Sequence, residues 1–140
     1  MLLKQNKIGG VIRSGGRVGD FAKQLAEQKI GLIIPAMNGT EYNSTLEHFL
    51  LASQSGVPIA FEGDSAEQIR LTASLLVSAG LDRQIALSGL TSGGAELVGM
   101  KRTTLASGAP ADFVVWSASP LNLSAKPTNV VVDGTIVPTK

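Results

Sequence analysis

Two uninterrupted apolar runs constrain the fold of this 140-residue chain more than any other feature. Ile30–Ile34 is apolar throughout and stops at Pro35, and residues 57–61 form a second run of the same kind. Runs without polar alternation are typical of strands buried on both faces, as in a parallel sheet. A weaker run at residues 8–13, which contains Gly9-Gly10, predicts a third strand. Each pair of runs is separated by enough chain for a helix, which indicates an α/β protein.

Helical patterns fill the intervals between these runs. Residues 17–28 place apolar side chains at i, i+4 spacing with charges on the other face, which predicts an amphipathic helix. Ser44, with Glu47 three residues later, forms a capping-box pattern, so we expect the next helix to begin there and to end near residue 55. The remaining helices are predicted over residues 66–79, capped by Asp64 or Ser65, over residues 82–90, capped by Asp82, and over residues 94–98.

The last third of the chain changes character and reads as β-structure. Residues 112–116 and 129–133 form two apolar segments, and a third follows at Thr135–Val137. The Asp133-Gly134 pair between the last two segments is the strongest short hairpin signal in the sequence. Asp112 stands at a strand entry, where its carboxylate can accept hydrogen bonds from nearby backbone amides. This part of the sequence therefore predicts antiparallel strands that close in a hairpin.

Composition excludes several classes of function. The chain has no cysteine, so thiolate nucleophiles, disulfides and cysteine metal sites are ruled out. The net charge is +1, and no basic cluster exceeds the Lys101-Arg102 pair, so nucleic-acid binding is not expected. No segment approaches the roughly 20 apolar residues of a membrane span, and no signal peptide is recognisable. We therefore expect a cytoplasmic protein that binds neither membrane nor nucleic acid.

Several short stretches resemble a known family in both order and spacing. They are GVPIAFEGDS over residues 56–65, AELVG over 95–99, GAPADFVVW over 108–116 and VVVDGTIV over 130–137. Together they are similar to the C-terminal part of the amidohydrolase superfamily, metal-dependent hydrolases of the imidazolonepropionase-like type. Residues 8–55 fit as two preceding βα units, and Gly15-Gly16-Arg17 is similar to a GGR found in one sub-group of that family.

The resemblance implies both a fold and an activity. The fold is a partial (β/α) barrel-like parallel sheet of about three strands with helices, followed by an antiparallel C-terminal hairpin. Residues 1–100 would be the barrel segment and residues 101–140 the C-terminal strands of a composite sandwich, together forming one compact unit. The activity is hydrolysis of C–N bonds in amides or cyclic imides. Asp64 matches the carboxylate that takes a proton from a metal-bound water and passes it to the leaving group. Alternatively, Asp64 has only a structural role, as the cap of the helix that begins near residue 66.

The ligand set for such a metal is missing from this sequence. A hydrolytic metal needs three or more ligands, which the family supplies mostly as histidines on earlier strands, including a His-x-His pair. The chain has one histidine, His48, which sits within a predicted helix and is interpreted as a surface or half-buried side chain. The strand end at Arg13 also carries no histidine. We therefore expect no bound metal and no other cofactor.

These observations favour a fragment that is not catalytic on its own, and two alternatives stay open. One is a half-enzyme that an N-terminal amidohydrolase segment completes in trans. The other is a binding or assembly module. Three strands taken from a barrel leave two sheet edges open, and open apolar edges attract further copies of the chain. A homo-oligomer is therefore expected, most simply a dimer about a two-fold axis.

Overall fold

The computed structural model describes residues 10–13, 16–40, 43–101 and 104–138. Predictions that involve Ile8, Gly9, Ser14 and Gly15 lie outside these residues. The strands are β1 (Gly10–Arg13), β2 (Ile30–Ile34), β3 (Ile59–Phe61), β4 (Phe113–Trp116), β5 (Pro127–Val132) and β6 (Thr135–Val137). The helices are a 3₁₀ turn (Val18–Phe21), α1 (Ala22–Glu27), α2 (Asn43–Gln54), α3 (Ala66–Ser78), α4 (Arg83–Leu90) and α5 (Ser92–Leu97).

The first three strands form a parallel sheet in the order β1-β2-β3. Leu32 pairs with Ile12 on one side and with Ile59 on the other, so these three side chains share a face. The predicted parallel arrangement is confirmed, and the bounds of β2 agree with the apolar run. The third strand begins at Ile59, two residues later than the run. Pro58 has no N–H to donate to a ladder, although its carbonyl accepts a hydrogen bond from the Leu32 amide at 2.8 Å.

The two faces of this sheet are covered differently. The face that carries Ile12, Leu32 and Ile59 packs on the hydrophobic core, which side chains of α1, α2, α3 and α4 complete. The opposite face is partly covered by α5, because a Cβ atom at Gly31 would overlap the Leu97 side chain. A side chain at position 31 would therefore force the Leu97 side chain of α5 to move. The remainder of this second face carries Val11, which is exposed.

The helix predictions are confirmed in outline and corrected in two places. Residues 17–28 form a 3₁₀ turn followed by the short helix α1, where one continuous helix was expected. Ser44 lies inside α2, so the prediction that it caps this helix is wrong. Ser65 does cap α3, since its Oγ accepts a hydrogen bond from the Gln68 amide at 3.2 Å. The predicted cap of α4 is also confirmed, because the Asp82 carboxylate accepts bonds from two amides of its first turn.

The C-terminal strands form a separate antiparallel sheet in the order β4-β5-β6. The predicted hairpin is present, and β4 adds a third strand to it through the pairing of Val114 with Val130. Asp133 and Gly134 have φ angles of 50° and 76°, the left-handed conformation that a two-residue hairpin requires. The Asp133 amide donates a hydrogen bond to Asp112 Oδ1 at 2.6 Å, as expected for a carboxylate at a strand entry.

Arg70 fastens this second sheet to the helical part of the molecule, together with Ser74, whose Oγ donates to the Leu121 carbonyl at 2.9 Å. Arg70 of α3 is 9% exposed, and its guanidinium lies over the Trp116 ring at 4.3 Å from the centroid. The Arg70 Nε donates to the Pro120 carbonyl at 2.8 Å. The Arg70 Nη2 donates to the carbonyls of Asn122 and Ala125 at 2.9 and 3.1 Å. The loop between β4 and β5 is therefore held on α3 by charge-assisted hydrogen bonds.

Candidate functional site

Several polar residues lie at the edge of the parallel sheet where its strands end. Arg13 is the last residue of β1, and Glu62 and Asp64 follow β3. In a parallel sheet these ends meet at one edge, which is the edge where β/α barrels carry their active sites. Residues of this edge are therefore the first candidates for chemistry in this chain.

Arg13 and Glu62 form an ion pair across this edge. The Arg13 Nε donates to Glu62 Oε2 at 2.5 Å, and both side chains are exposed. Arg13 pairs with Ile33 in the sheet, and Ile33 pairs with Ala60, so the ion pair crosses above β2 on the face opposite the core. From the sequence, Arg13 was identified only as a strand end without histidine, and Glu62 was not predicted as a site residue. The sequence signal for this pair was a charged residue at the end of each of two apolar runs, Arg13 as the last residue of one strand and Glu62 directly after another.

Asp64 is exposed and stands one residue before the cap of α3. Its backbone amide donates a hydrogen bond to Gln68 Oε1 at 2.8 Å. Since the capping role falls to Ser65, the Asp64 carboxylate is not the group that begins the helix. The position after the last parallel strand agrees with the sequence prediction, and a catalytic role for Asp64 stays a prediction.

The donor set of the described residues does not fit a hydrolytic metal. Within residues 10–13, 16–40, 43–101 and 104–138, His, Asp and Glu side chains form no group of three or more that could hold a metal ion. His48 lies on α2 against the 3₁₀ turn, where a Cβ at Gly19 would come within 2.6 Å of its Nδ1. That nitrogen is buried without a hydrogen bond and lies 3.8 Å from Asp20 Oδ1. The histidine therefore packs between two helical segments.

One groove adjoins the parallel sheet, and a second adjoins the C-terminal sheet. The first has a volume of about 430 Å³ and runs along β3, with Phe61, Gly94 and Val98 among its lining residues. The second has a volume of about 650 Å³ and lies between the helices and the C-terminal sheet, with Leu105 and Val114 in its lining. Sequence analysis predicted neither groove, because each is lined by residues far apart in the chain.

This fold is similar to that of a solved protein structure. No protein-family model and no curated protein matches the chain. The chain is similar to the crystal structure of an amidohydrolase from Thermotoga maritima MSB8, with a TM-score of 0.79 and 24% sequence identity. The match covers 99% of this chain and 39% of that one, so this chain spans about two fifths of the length of that amidohydrolase. None of the helices in the described part is both long and apolar enough to cross a membrane. The chain thus has the fold of one portion of an amidohydrolase, consisting of three parallel βα units and an antiparallel sheet.

Proposed function

We propose that this chain is the C-terminal portion of a metal-dependent amidohydrolase, which does not hydrolyse C–N bonds by itself and becomes part of a catalyst when an upstream portion completes it. One observation carries the proposal. The chain matches only 39% of a solved amidohydrolase, and its parallel sheet has three strands, of which only β2 has a strand neighbour on both sides within the described residues. A β/α barrel closes its sheet on itself, so a three-stranded portion leaves two edges for the remaining strands.

The donor set explains why the upstream portion is needed. A hydrolytic metal requires three or more ligands, and the described residues bring no such group together. The ion pair of Arg13 and Glu62 further occupies the strand ends, so a cation there would compete with a guanidinium already bound to the carboxylate. The metal ligands of a completed enzyme therefore come from strands outside this chain.

Asp64 is the residue of this chain that we assign to catalysis in the completed barrel. It follows β3 at the strand-end edge, it is exposed, and its carboxylate is not used as the cap of α3. In the completed site Asp64 takes a proton from the attacking water and delivers it to the departing nitrogen of an amide or cyclic imide. This chain alone supplies the carboxylate without the groups that would activate the water.

Hydrolysis assays of the chain alone and of a completed chain test this proposal. The completed chain joins the part of the Thermotoga amidohydrolase outside the match to the N-terminus of this chain, and both proteins are assayed on amides and cyclic imides. We expect turnover only in the joined protein, with Asp64→Asn lowering kcat at least 100-fold. Glu67→Gln, an exposed acidic residue in the first turn of α3, is the matched control and should leave kcat within twofold. Turnover by the chain alone, or equal effects of the two substitutions, would contradict the proposal.

In the absence of the upstream portion we propose that the chain self-associates. Val114, Val132 and Ile136 are exposed although they belong to β-strands, and β6 is exposed along its whole length. Exposed apolar strands at a sheet edge promote association with further copies. Sedimentation at micromolar concentration should show a dimer, and a clean monomer would contradict this part of the proposal.

A further inference from the structure

Arg13 is the basic side chain at the carboxyl ends of the parallel strands. It is the last residue of β1, whereas β2 and β3 end in Ile34 and Phe61. Ile12 packs on the hydrophobic core, so Arg13, the next residue along the strand, lies on the opposite face of the sheet. Because the helices of a β/α barrel form its outer ring, that face is the inner one, and its strand ends carry the active site.

Glu62 holds the Arg13 guanidinium in place across the middle strand. Its Oε2 accepts a hydrogen bond from the Arg13 Nε at 2.5 Å. The two residues belong to β1 and to the end of β3, which lie on either side of β2, so the pair spans two strand spacings of about 4.8 Å each. The two charged groups therefore meet above β2, in the middle of the strand-end edge.

The guanidinium keeps further donors for a ligand. An arginine side chain has five N–H groups, and the bond to Glu62 uses the one on Nε. The Arg13 side chain is 62% exposed, which leaves it accessible to a molecule at this edge. Because the bond to Glu62 restrains the planar guanidinium, the donors on its two Nη atoms are oriented before a ligand arrives.

The other described arginines make contacts of a different kind. Arg17 pairs with Asp20, three residues away in its own segment, and its side chain is 81% exposed. Arg70 is buried, and its donors are bound to carbonyls of the β4–β5 loop. Arg83 is the first residue of α4. Within the described part of the chain, Arg13 is therefore the arginine that ends a parallel strand and bridges two of them.

Hydrolysis of an amide develops negative charge close to this guanidinium. As the oxygen of water bonds to the carbonyl carbon, one water proton passes to Asp64 and an electron pair moves onto the carbonyl oxygen. Asp64 and Glu62 are two positions apart, so their Cα atoms are separated by at most about 7 Å. A carbonyl group attacked beside Asp64 is therefore within reach of the guanidinium that Glu62 holds.

We propose that Arg13 is a further catalytic residue of the completed barrel, whose Nη groups donate hydrogen bonds to the carbonyl oxygen as it becomes negatively charged. The inference rests on the proposed function, because Asp64 moves the proton in the same step. When the intermediate collapses, the electron pair forms the carbonyl again, the C–N bond breaks, and the departing nitrogen takes the proton from Asp64. Arg13 keeps its protons throughout, since a guanidinium is always charged in proteins. Glu62 is a positioning residue that holds this guanidinium.

Kinetics of the joined protein test this role. Arg13→Met should lower kcat at least 100-fold and change KM less than threefold, because its donors act on charge that appears only in the transition state. Arg13→Lys keeps the charge without the planar fork and should recover part of the loss. Arg17→Met removes a second exposed arginine from an ion pair, so it is the matched control and should leave kcat within twofold.

Two further measurements separate a catalytic role from a structural one. Methylguanidinium at millimolar concentration should restore activity to Arg13→Ala, which lacks the guanidinium, and should not restore it to Asp64→Asn. Phenylphosphonamidate is a tetrahedral anion that resembles the intermediate of benzamide hydrolysis. It should bind the original joined protein at least 30-fold more tightly than the Arg13→Met variant, whereas Arg17→Met should bind it like the original.

The outcomes separate this inference from the proposed function. Turnover that Asp64→Asn abolishes and Arg13→Met leaves unchanged would overturn the role of Arg13 and keep the proposed function. Binding of the phosphonamidate that depends on Arg13, in a joined protein without turnover, would refute the proposed function and leave Arg13 as the residue that binds the tetrahedral anion. Equal binding by the original and by Arg13→Met would overturn the inference, as would a loss of activity in Arg13→Ala that methylguanidinium does not reverse.

Discussion

The two sheets of this molecule are built from similar residues and are covered very differently. In the parallel sheet, four of the five residues of β2 are buried, because helices pack on one face and α5 on part of the other. In the antiparallel sheet, Val131 is the only strand residue that is buried, and every residue of β6 is exposed. Apolar, β-branched composition thus predicts a strand, whereas its coverage depends on which other elements reach it. Among the described residues, the second sheet is the less covered of the two.

The largest expected effect is the loss of core packing around the parallel sheet. Phe49 of α2 is 1% exposed, and Phe49→Ala should lower the free energy of unfolding by about 3–5 kcal/mol through lost burial and an unfilled cavity. The control is Phe21→Ala, at a side chain that is largely exposed, where we expect less than about 1 kcal/mol. Urea unfolding followed by circular dichroism measures both. Equal effects would show that the core does not lie where the structure has it.

The next effect concerns the attachment between the two regions. Arg70→Met removes three hydrogen bonds to loop carbonyls and the contact with Trp116, and we expect a loss of about 2–4 kcal/mol. Because the chain has one tryptophan, Trp116, its fluorescence reports on the C-terminal sheet while circular dichroism reports mainly on the helices. The two unfolding curves should coincide in the original chain and separate in the variant. Curves that still coincide in the variant would show that the burial of Leu121 and its hydrogen bond from Ser74 suffice to join the two regions.

A smaller effect is expected at the hairpin of the C-terminal sheet. Gly134 has φ of 76°, and Gly134→Ala should cost about 1–2 kcal/mol because a side chain is disfavoured in the left-handed region. Gly10→Ala in β1 is the control, since a Cβ there has nothing within 4 Å and φ is not positive. It should be neutral or slightly stabilising. Thermal unfolding of both variants gives the comparison, and a neutral Gly134→Ala would contradict the turn geometry.

The smallest effect is expected at the ion pair above the parallel strands. Arg13 and Glu62 are both exposed, so Arg13→Met should change the free energy of unfolding by less than about 1 kcal/mol. A double-mutant cycle with Glu62→Gln isolates the pair, and 0.5 M salt should reduce its coupling by screening. Arg17→Met, which breaks the exposed pair with Asp20, serves as the control of similar size. A coupling free energy of several kcal/mol between Arg13 and Glu62 would mean that water screens this ion pair less than its exposure indicates.

Local features of the chain were predictable from the sequence where the residues concerned are neighbours. The run Ile30–Ile34 predicts a buried strand, Asp82 predicts a helix cap, and Asp133-Gly134 predicts a hairpin, and the structure confirms all three. The prediction of one continuous helix over residues 17–28 failed near Gly19. Amphipathic spacing does not reveal that this residue lies close to His48. The sequence around Ser44 likewise matches a capping box, but Ser44 lies inside α2 and does not begin it.

The candidate site could be predicted only in part, for the same reason. The position of Asp64 after an apolar strand is visible in the sequence, whereas its lack of a capping role depends on the competition with Ser65 for the first turn of α3. Nothing in the sequence pairs Arg13 with Glu62, since 49 positions separate them and only the parallel order of β1, β2 and β3 brings them together.

By itself the sequence determined the order of strands and helices and the turn at Asp133-Gly134, because these depend on side chains within a few positions of one another. Tertiary structure alone decided that Arg70 clamps the β4–β5 loop, that Gly31 leaves room for Leu97 of α5, and that a groove lies between the helices and the C-terminal sheet. Each of these depends on close packing between segments distant in the chain, where a single atom decides the approach. A pattern of residue types carries no record of such distances.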